Sequence, residues 1–194
     1  RLLSGRPEVR IAAQPVMIAF VLLPSSIDSE FEMGEASRRK GNNMIFERSD
    51  REQLYDLKVR YGRAVDTYDT ELLRSCFADD ATWRYDPIGG EGQLMRGWGE
   101  FSVFWVRMQE PMQCTHHFSN FTFDIKGDDA GYSCLLFAQH WPRGADFSSN
   151  VPFMTVGGRY DSRARRTNKG WQIYEHRETT LWSSGSSEII WGAP

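Results

Sequence analysis

The chain reads as one α+β domain, with N-terminal helices packed on a strongly curved, mostly antiparallel sheet. Three observations predict it. Helical periodicity dominates from residue 49 to about residue 108, period-two alternation dominates afterwards, and short turns rather than helices join the later strands. A length of 194 residues suits a single domain. Aromatic residues form 13% of the chain and fall almost entirely after residue 45, so a core or lined pocket is expected there. The expected limits are an N-terminal extension over 1–48, the domain over 49–185 and a C-terminal tail over 186–194.

The extension is set apart by its composition. The stretch Ile11 to Leu23 is mostly apolar but is broken by Gln14 and Pro15. It is shorter than the roughly 20 residues that span a bilayer as a helix. Arg6 and Arg10 precede it as in a signal peptide, yet no small-x-small cleavage site follows. Met33 and Met44 are alternative starts, and the expectation is an appendage outside the fold.

Ser49-Asp50-Arg51-Glu52 is a capping box that opens the first helix. At 100° per residue, Glu52, Gln53, Asp56, Arg60 and Arg63 form a polar face, while Leu54, Leu57, Tyr61, Ala64, Val65, Tyr55 and Val59 fill most of the rest. Asp66 falls at about 120° from Leu54, on the apolar side, with Gly62 one turn below it. A buried carboxylate needs a partner. It either closes the helix or pairs with something beyond it, and Asp69 is the better cap for the short helix expected over Leu72 to Phe77.

Ala81 to Tyr85 reads as a strand with Trp83 and Tyr85 on one face, followed by a Pro/Gly-rich loop over Asp86 to Gly92. That loop matches neither GxxxxGK[ST] nor a strand-to-helix GxGxxG. Phe101, Phe104, Trp105 and Met108 place a third helix over about Trp98 to Met108, its aromatic stripe facing the core. His117, Ser119, Phe121, Phe123 and Ile125 then alternate and are expected to share the inner face of a strand, with His116 pointing out. Lys126-Gly127-Asp128-Asp129 turns the chain into a strand over Ala130 to Trp141. Two further strands, Val151 to Arg166 and Trp171 to Trp182, are joined by Thr167-Asn168-Lys169-Gly170.

Composition narrows the function. A net charge of −3 offers no basic face for nucleic acid. Cys76, Cys114 and Cys134 have no CxxC spacing, which fits inert thiols in a reducing, cytoplasmic setting. The four histidines (His116, His117, His140 and His176) lack HxH or HExxH spacing, so no metal is expected. No GxSxG elbow supports a serine nucleophile. Arg159 and Arg177 sit among apolar neighbours and could enter a pocket or pair with acids. What remains is an inward Asp66 and an inward His117, a pair suited to moving a proton.

Five segments extend that reading. They are Tyr61-Gly62-Arg63-Ala64-Val65-Asp66, Leu73-Arg74-Ser75-Cys76-Phe77-Ala78-Asp79-Asp80-Ala81, Thr115-His116-His117-Phe118-Ser119-Asn120, Gly157-Gly158-Arg159-Tyr160 and Gly170-Trp171-Gln172-Ile173. In order and spacing they resemble the SnoaL-like branch of the NTF2-like superfamily, whose fold is a cone-shaped α+β barrel. The group that contains scytalone dehydratase, bile-acid 7α-dehydratase and the lindane dehydrochlorinase is the most similar part of it. The resemblance implies a proton-transfer dyad of Asp66 and His117, with Tyr61 and Tyr85 as active-site tyrosines. Val65 departs from the family's second tyrosine. A second histidine falls near Gln139 or His140, and a hairpin arginine falls at or next to Arg166.

The resemblance also implies no cofactor and a homo-oligomer, often a trimer built through the sheets. The expected activity is a dehydratase-type lyase acting on a hydrophobic cyclic, steroid- or polyketide-like molecule. Trp83, Phe104, Phe121, Arg166 and His140 are its expected substrate contacts. The superfamily also holds cyclases, isomerases and non-catalytic binding subunits, which are the alternatives.

Overall fold

The computed structural model describes residues 48–191; the extension up to residue 47, with the apolar run and both alternative starts, lies outside the described residues. Helix α1 (Asp50–Asp66) begins at the expected capping box: the Ser49 side chain accepts from the Glu52 backbone, and Glu52 accepts from the Ser49 N–H. Such a cap contributes about 1 kcal/mol. Leu54, Leu57, Tyr61, Ala64 and Val65 are buried as the apolar arc requires, whereas Tyr55 and Val59, expected on the same side, are exposed. Asp69 caps α2 (Thr70–Ser75) by accepting from the Leu72 N–H.

The helix expected to reach Phe77 stops at Ser75, because Phe77 already belongs to strand β1 (Phe77–Asp86). Strand β2 (Gln93–Arg96) was not expected at all: four residues after a Pro/Gly-rich loop carry too little pattern to read. It pairs with β1, setting Met95 opposite Trp83. Helix α3 (Gly97–Gln109) buries Phe101 and Trp105. The long strands follow: β3 (Met112–Lys126), β4 (Asp129–Pro142), β5 (Met154–Thr167) and β6 (Gly170–Gly185). Gly127 and Gly170 sit at φ 61° and 89° in the two tight turns, where a side chain would be strained. A short helix α4 (Glu188–Trp191) forms within the stretch expected as a tail, and Ile189 is buried against the core.

The six strands form one curved sheet in the order β2-β1-β6-β5-β4-β3. Neighbours are antiparallel except β1 and β6, which are parallel. The sheet is therefore mixed but mostly antiparallel, and its inner face packs on the helices. Among the described residues no helix is long and apolar enough to cross a membrane.

One irregularity decides the site. Ser119 pairs with Leu135 and Thr122 with Ser133, so β3 carries one residue more than β4 between these pairs. Asn120 takes it up in the left-handed region, at φ 54°. A bulge of this kind inverts which side chains face inward on either side of it. Beyond it Phe121, Phe123 and Ile125 pack on the core as expected. Before it the inward residues are Cys114, His116 and Phe118, while His117 and Ser119 are exposed. The expectation that His117 and Phe121 share a face is overturned by this residue.

Candidate active site

Asp66, the last residue of α1, reaches β3 at His116, one position before the expected histidine. Its Oδ1 lies 2.6 Å from His116 Nδ1, and its Oδ2 accepts the His116 backbone N–H at 3.0 Å. Both carboxylate oxygens are thereby held by one residue, which fixes the ring's orientation and leaves Nε2 free of Asp66. The His116 side chain is only 6% exposed. Helix and strand can approach this closely because residue 62 is glycine: a Cβ there would lie 2.5 Å from Cε2 of Phe118. The space that Gly62 leaves is filled by the Phe118 ring.

His116 lines an enclosed cavity of about 90 Å³ between α1, α3 and the inner face of the sheet. Tyr61 and Val65 come from α1, and Phe101, Phe104, Trp105 and Met108 from α3. Tyr85, His140, Tyr160 and Glu178 come from the sheet. Of the expected site residues, the structure thus brings Tyr61, Tyr85, Phe104 and His140 together around the cavity. Asp66 stands behind His116.

The others lie elsewhere. His117 is on the outer face beside Phe137, with ring centroids 6.3 Å apart. Trp83 stacks on Phe101 at 4.0 Å in the core behind the cavity wall. Phe121, carried past the bulge, packs on Tyr55 and Phe123 and lines a separate groove. Arg166 pairs with Asp50 and Asp128 and lies over Trp171, tying the final hairpin to the start of α1 rather than entering the cavity. Arg159 and Arg177 pair with Asp161 and Asp86, at 2.8 and 2.6 Å.

Burial tunes the groups that remain. It pushes His140 down to about 4, and that neutral ring's Nδ1 lies 3.3 Å from the Met154 carbonyl oxygen. Burial also pushes the Glu178 carboxyl up, against the pull of His116, the Tyr160 hydroxyl and Lys58. The Cys114 thiol sits 3.7 Å from Asp66 Oδ1 and is pushed up by burial and by that carboxylate. Asp66, Cys114 and His116 offer donor atoms within 4.8 Å of one another, the one such cluster among the described residues. A divalent ion there needs a thiolate and a free carboxylate oxygen. Without an ion the thiol is held protonated, and both Asp66 oxygens are engaged by His116.

Two residues were not expected. Glu178 lines the cavity, although it carries no pattern in the sequence that sets it apart from the neighbouring acid Glu175. Lys58 is fully buried, and its Nζ has no hydrogen-bond partner. That atom lies 3.4 Å from the ring centroid of Tyr160, 3.9 Å from Tyr61 and 4.6 Å from Phe118. Burial pushes its amine down to about 7. The helical wheel did carry a signal, since Lys58 falls at about 40° from Leu54, in the middle of the apolar arc.

A model of the SnoaL-like domain matches residues 47–177. Among solved structures, one provisionally described as an aromatic ring hydroxylase from Novosphingobium aromaticivorans is 27% identical, with a TM-score of 0.62 over 73% of this chain and 96% of that one. One provisionally described as a dehydratase of the NTF2-like family from Streptomyces avermitilis is 19% identical, with a TM-score of 0.58 over 68% and 96%. One provisionally described as a scytalone dehydratase, also from Novosphingobium aromaticivorans, is 15% identical, with a TM-score of 0.59 over 71% and 87%. No curated protein matches the chain. The matched family model covers most of the domain, and the fold is that of the NTF2-like neighbours: the chain belongs to the SnoaL-like family.

Proposed function

We propose that the protein is a lyase of the dehydratase type that needs no cofactor, with His116 as its base. The observation that carries this reading is the Asp66–His116 pair at a cavity that α3 walls with Phe101, Phe104, Trp105 and Met108. A neutral imidazole donates Nδ1–H to Asp66, so Nε2 is the proton acceptor. Nε2 takes a proton from a carbon beside a carbonyl group, a double bond forms, and the hydroxyl on the next carbon leaves as water. Asp66 stabilises the imidazolium that results. Tyr61 and Tyr85 serve the carbonyl oxygen as it gains charge.

The apolar wall from α3 suits a hydrophobic cyclic substrate, of steroid or polyketide type. A ring system needs roughly 300 Å³ or more. Admission therefore requires the cavity of about 90 Å³ to widen. The likeness to structures described as dehydratases supports the reaction type.

The test is a panel of cyclic β-hydroxyketones, followed by the ultraviolet absorbance of the conjugated product. Turnover by the wild type should fall by about 10²–10⁴-fold in His116→Ala, the usual contribution of a positioned base. Undiminished turnover in that variant would sink the proposal.

A further inference from the structure

A base alone does not complete an elimination, because hydroxide is a poor leaving group. The cavity holds a second group that the dyad does not use. Glu178 on β6 pairs in register with Tyr85 on β1 and with Tyr160 on β5, so the three form a row across neighbouring strands on the inner face. The Tyr160 hydroxyl donates to Glu178 Oε2 at 3.1 Å. No arginine or lysine forms an ion pair with Glu178 among the described residues. Strands β5 and β4 separate β6 from the strand that bears His116, and Glu178 and His116 line the same cavity from these two strands.

We propose that Glu178, held by Tyr160, is the general acid of this site, delivering a proton to the departing hydroxyl while His116 removes one from carbon. This rests on the reading of His116 as base. The C–H electrons form the new C=C bond, the C–O bond breaks towards oxygen, and that oxygen takes the Glu178 proton and leaves as water. The enzyme is then an imidazolium and a carboxylate, and a proton passing from one to the other resets it.

The groups facing Glu178 set whether it holds that proton. Lys58 and His116 favour the carboxylate, as does the Tyr160 hydroxyl, while Tyr61 and Tyr85 offer no positive charge. His140 is neutral, and α3 presents no charged side chain to the cavity. Burial outweighs the cations, so the carboxyl is raised.

Glu178→Gln keeps an oxygen for the Tyr160 hydroxyl but cannot give up a proton. The comparison uses a cyclic β-hydroxyketone and the matching β-acetoxyketone, whose acetate leaves without protonation. Glu178→Gln should slow the hydroxy compound by about 10²-fold or more and the acetoxy compound only a few-fold. Equal slowing of both would overturn the proposal.

Infrared spectroscopy reads the acid independently of turnover. The wild type at neutral pH should show a carboxylic-acid C=O stretch, sensitive to deuterium exchange, that is missing from Glu178→Gln. Its absence from the wild type would also overturn the proposal. If the wild type turns over neither compound, the elimination reading fails, and the infrared band alone decides whether Glu178 is held as an acid.

Discussion

The two halves of β3 belong to one strand yet face different interiors. Before Asn120 the inward side chains meet polar groups: His116 holds Asp66, and Phe118 lies over the Lys58 amine. After Asn120 they meet mainly other rings, with Phe121 stacked on Phe123 and tilted against Tyr55, and Phe123 on Tyr132, while the Arg51 guanidinium lies over Phe123. Asn120 makes the two halves independent: one residue in the left-handed region lets both put their inward residues on the core. Without it, a strand in unbroken alternation could satisfy only one.

Deleting Asn120 attacks that difference most directly. The strand must then expose either His116 and Phe118 or the three apolar residues beyond. At about 1.5–3 kcal/mol for each large apolar side chain returned to water, the cheaper choice, exposing Phe118 with His116, sets an expected loss of about 2 kcal/mol or more, read from urea denaturation. Wild-type stability in the deletion variant would mean that the bulge does not set the phase.

Lys58 sharpens the contrast from the polar side. Its folded-state pKa of about 7 lies below the unfolded value of 10.5. Between these values the unfolded chain binds more protons, so stability should rise with pH from about 7 to 10.5. Lys58→Met removes a buried amine that has ring contacts but no hydrogen-bond partner. It should flatten that rise and add about 1–4 kcal/mol at neutral pH, measured by denaturation across the range. An unchanged slope would show that another group carries the titration.

The smallest effect belongs to the conformation of residue 120. Asn120→Val should cost about 1–2 kcal/mol, because a β-branched side chain resists the left-handed region. Asn120→Gly should change stability by a few tenths, since glycine tolerates that region. Equal losses in thermal denaturation would assign the cost to the asparagine side chain rather than to the backbone.

Asn120 also marks where the sequence stopped being readable. Long periodic segments announced themselves, so α1 with its capping box and the two closing hairpins were legible to within a few residues. The α+β class followed from them. Asp66 was legible because an acid on an apolar helical face is costly without a partner. His117 was misread because alternation was counted backwards from Phe121 and Ile125 through a bulge, and an asparagine inside a strand is too weak a signal to locate one. Strand β2 was too short for any period. Lys58 stood in plain view on the helical wheel, whereas Glu178 acquires its setting only when β6 is laid between β1 and β5.

The central claim is that Asp66 holds His116 and not its neighbour. Proton NMR of the imidazole N–H region, in the wild type and in two variants, tests it most directly. A strongly hydrogen-bonded Nδ1–H gives a far-downfield signal. That signal should be present in the wild type and in His117→Gln, and missing from His116→Gln. Loss in His117→Gln with retention in His116→Gln would contradict the account and return the dyad to the outer histidine.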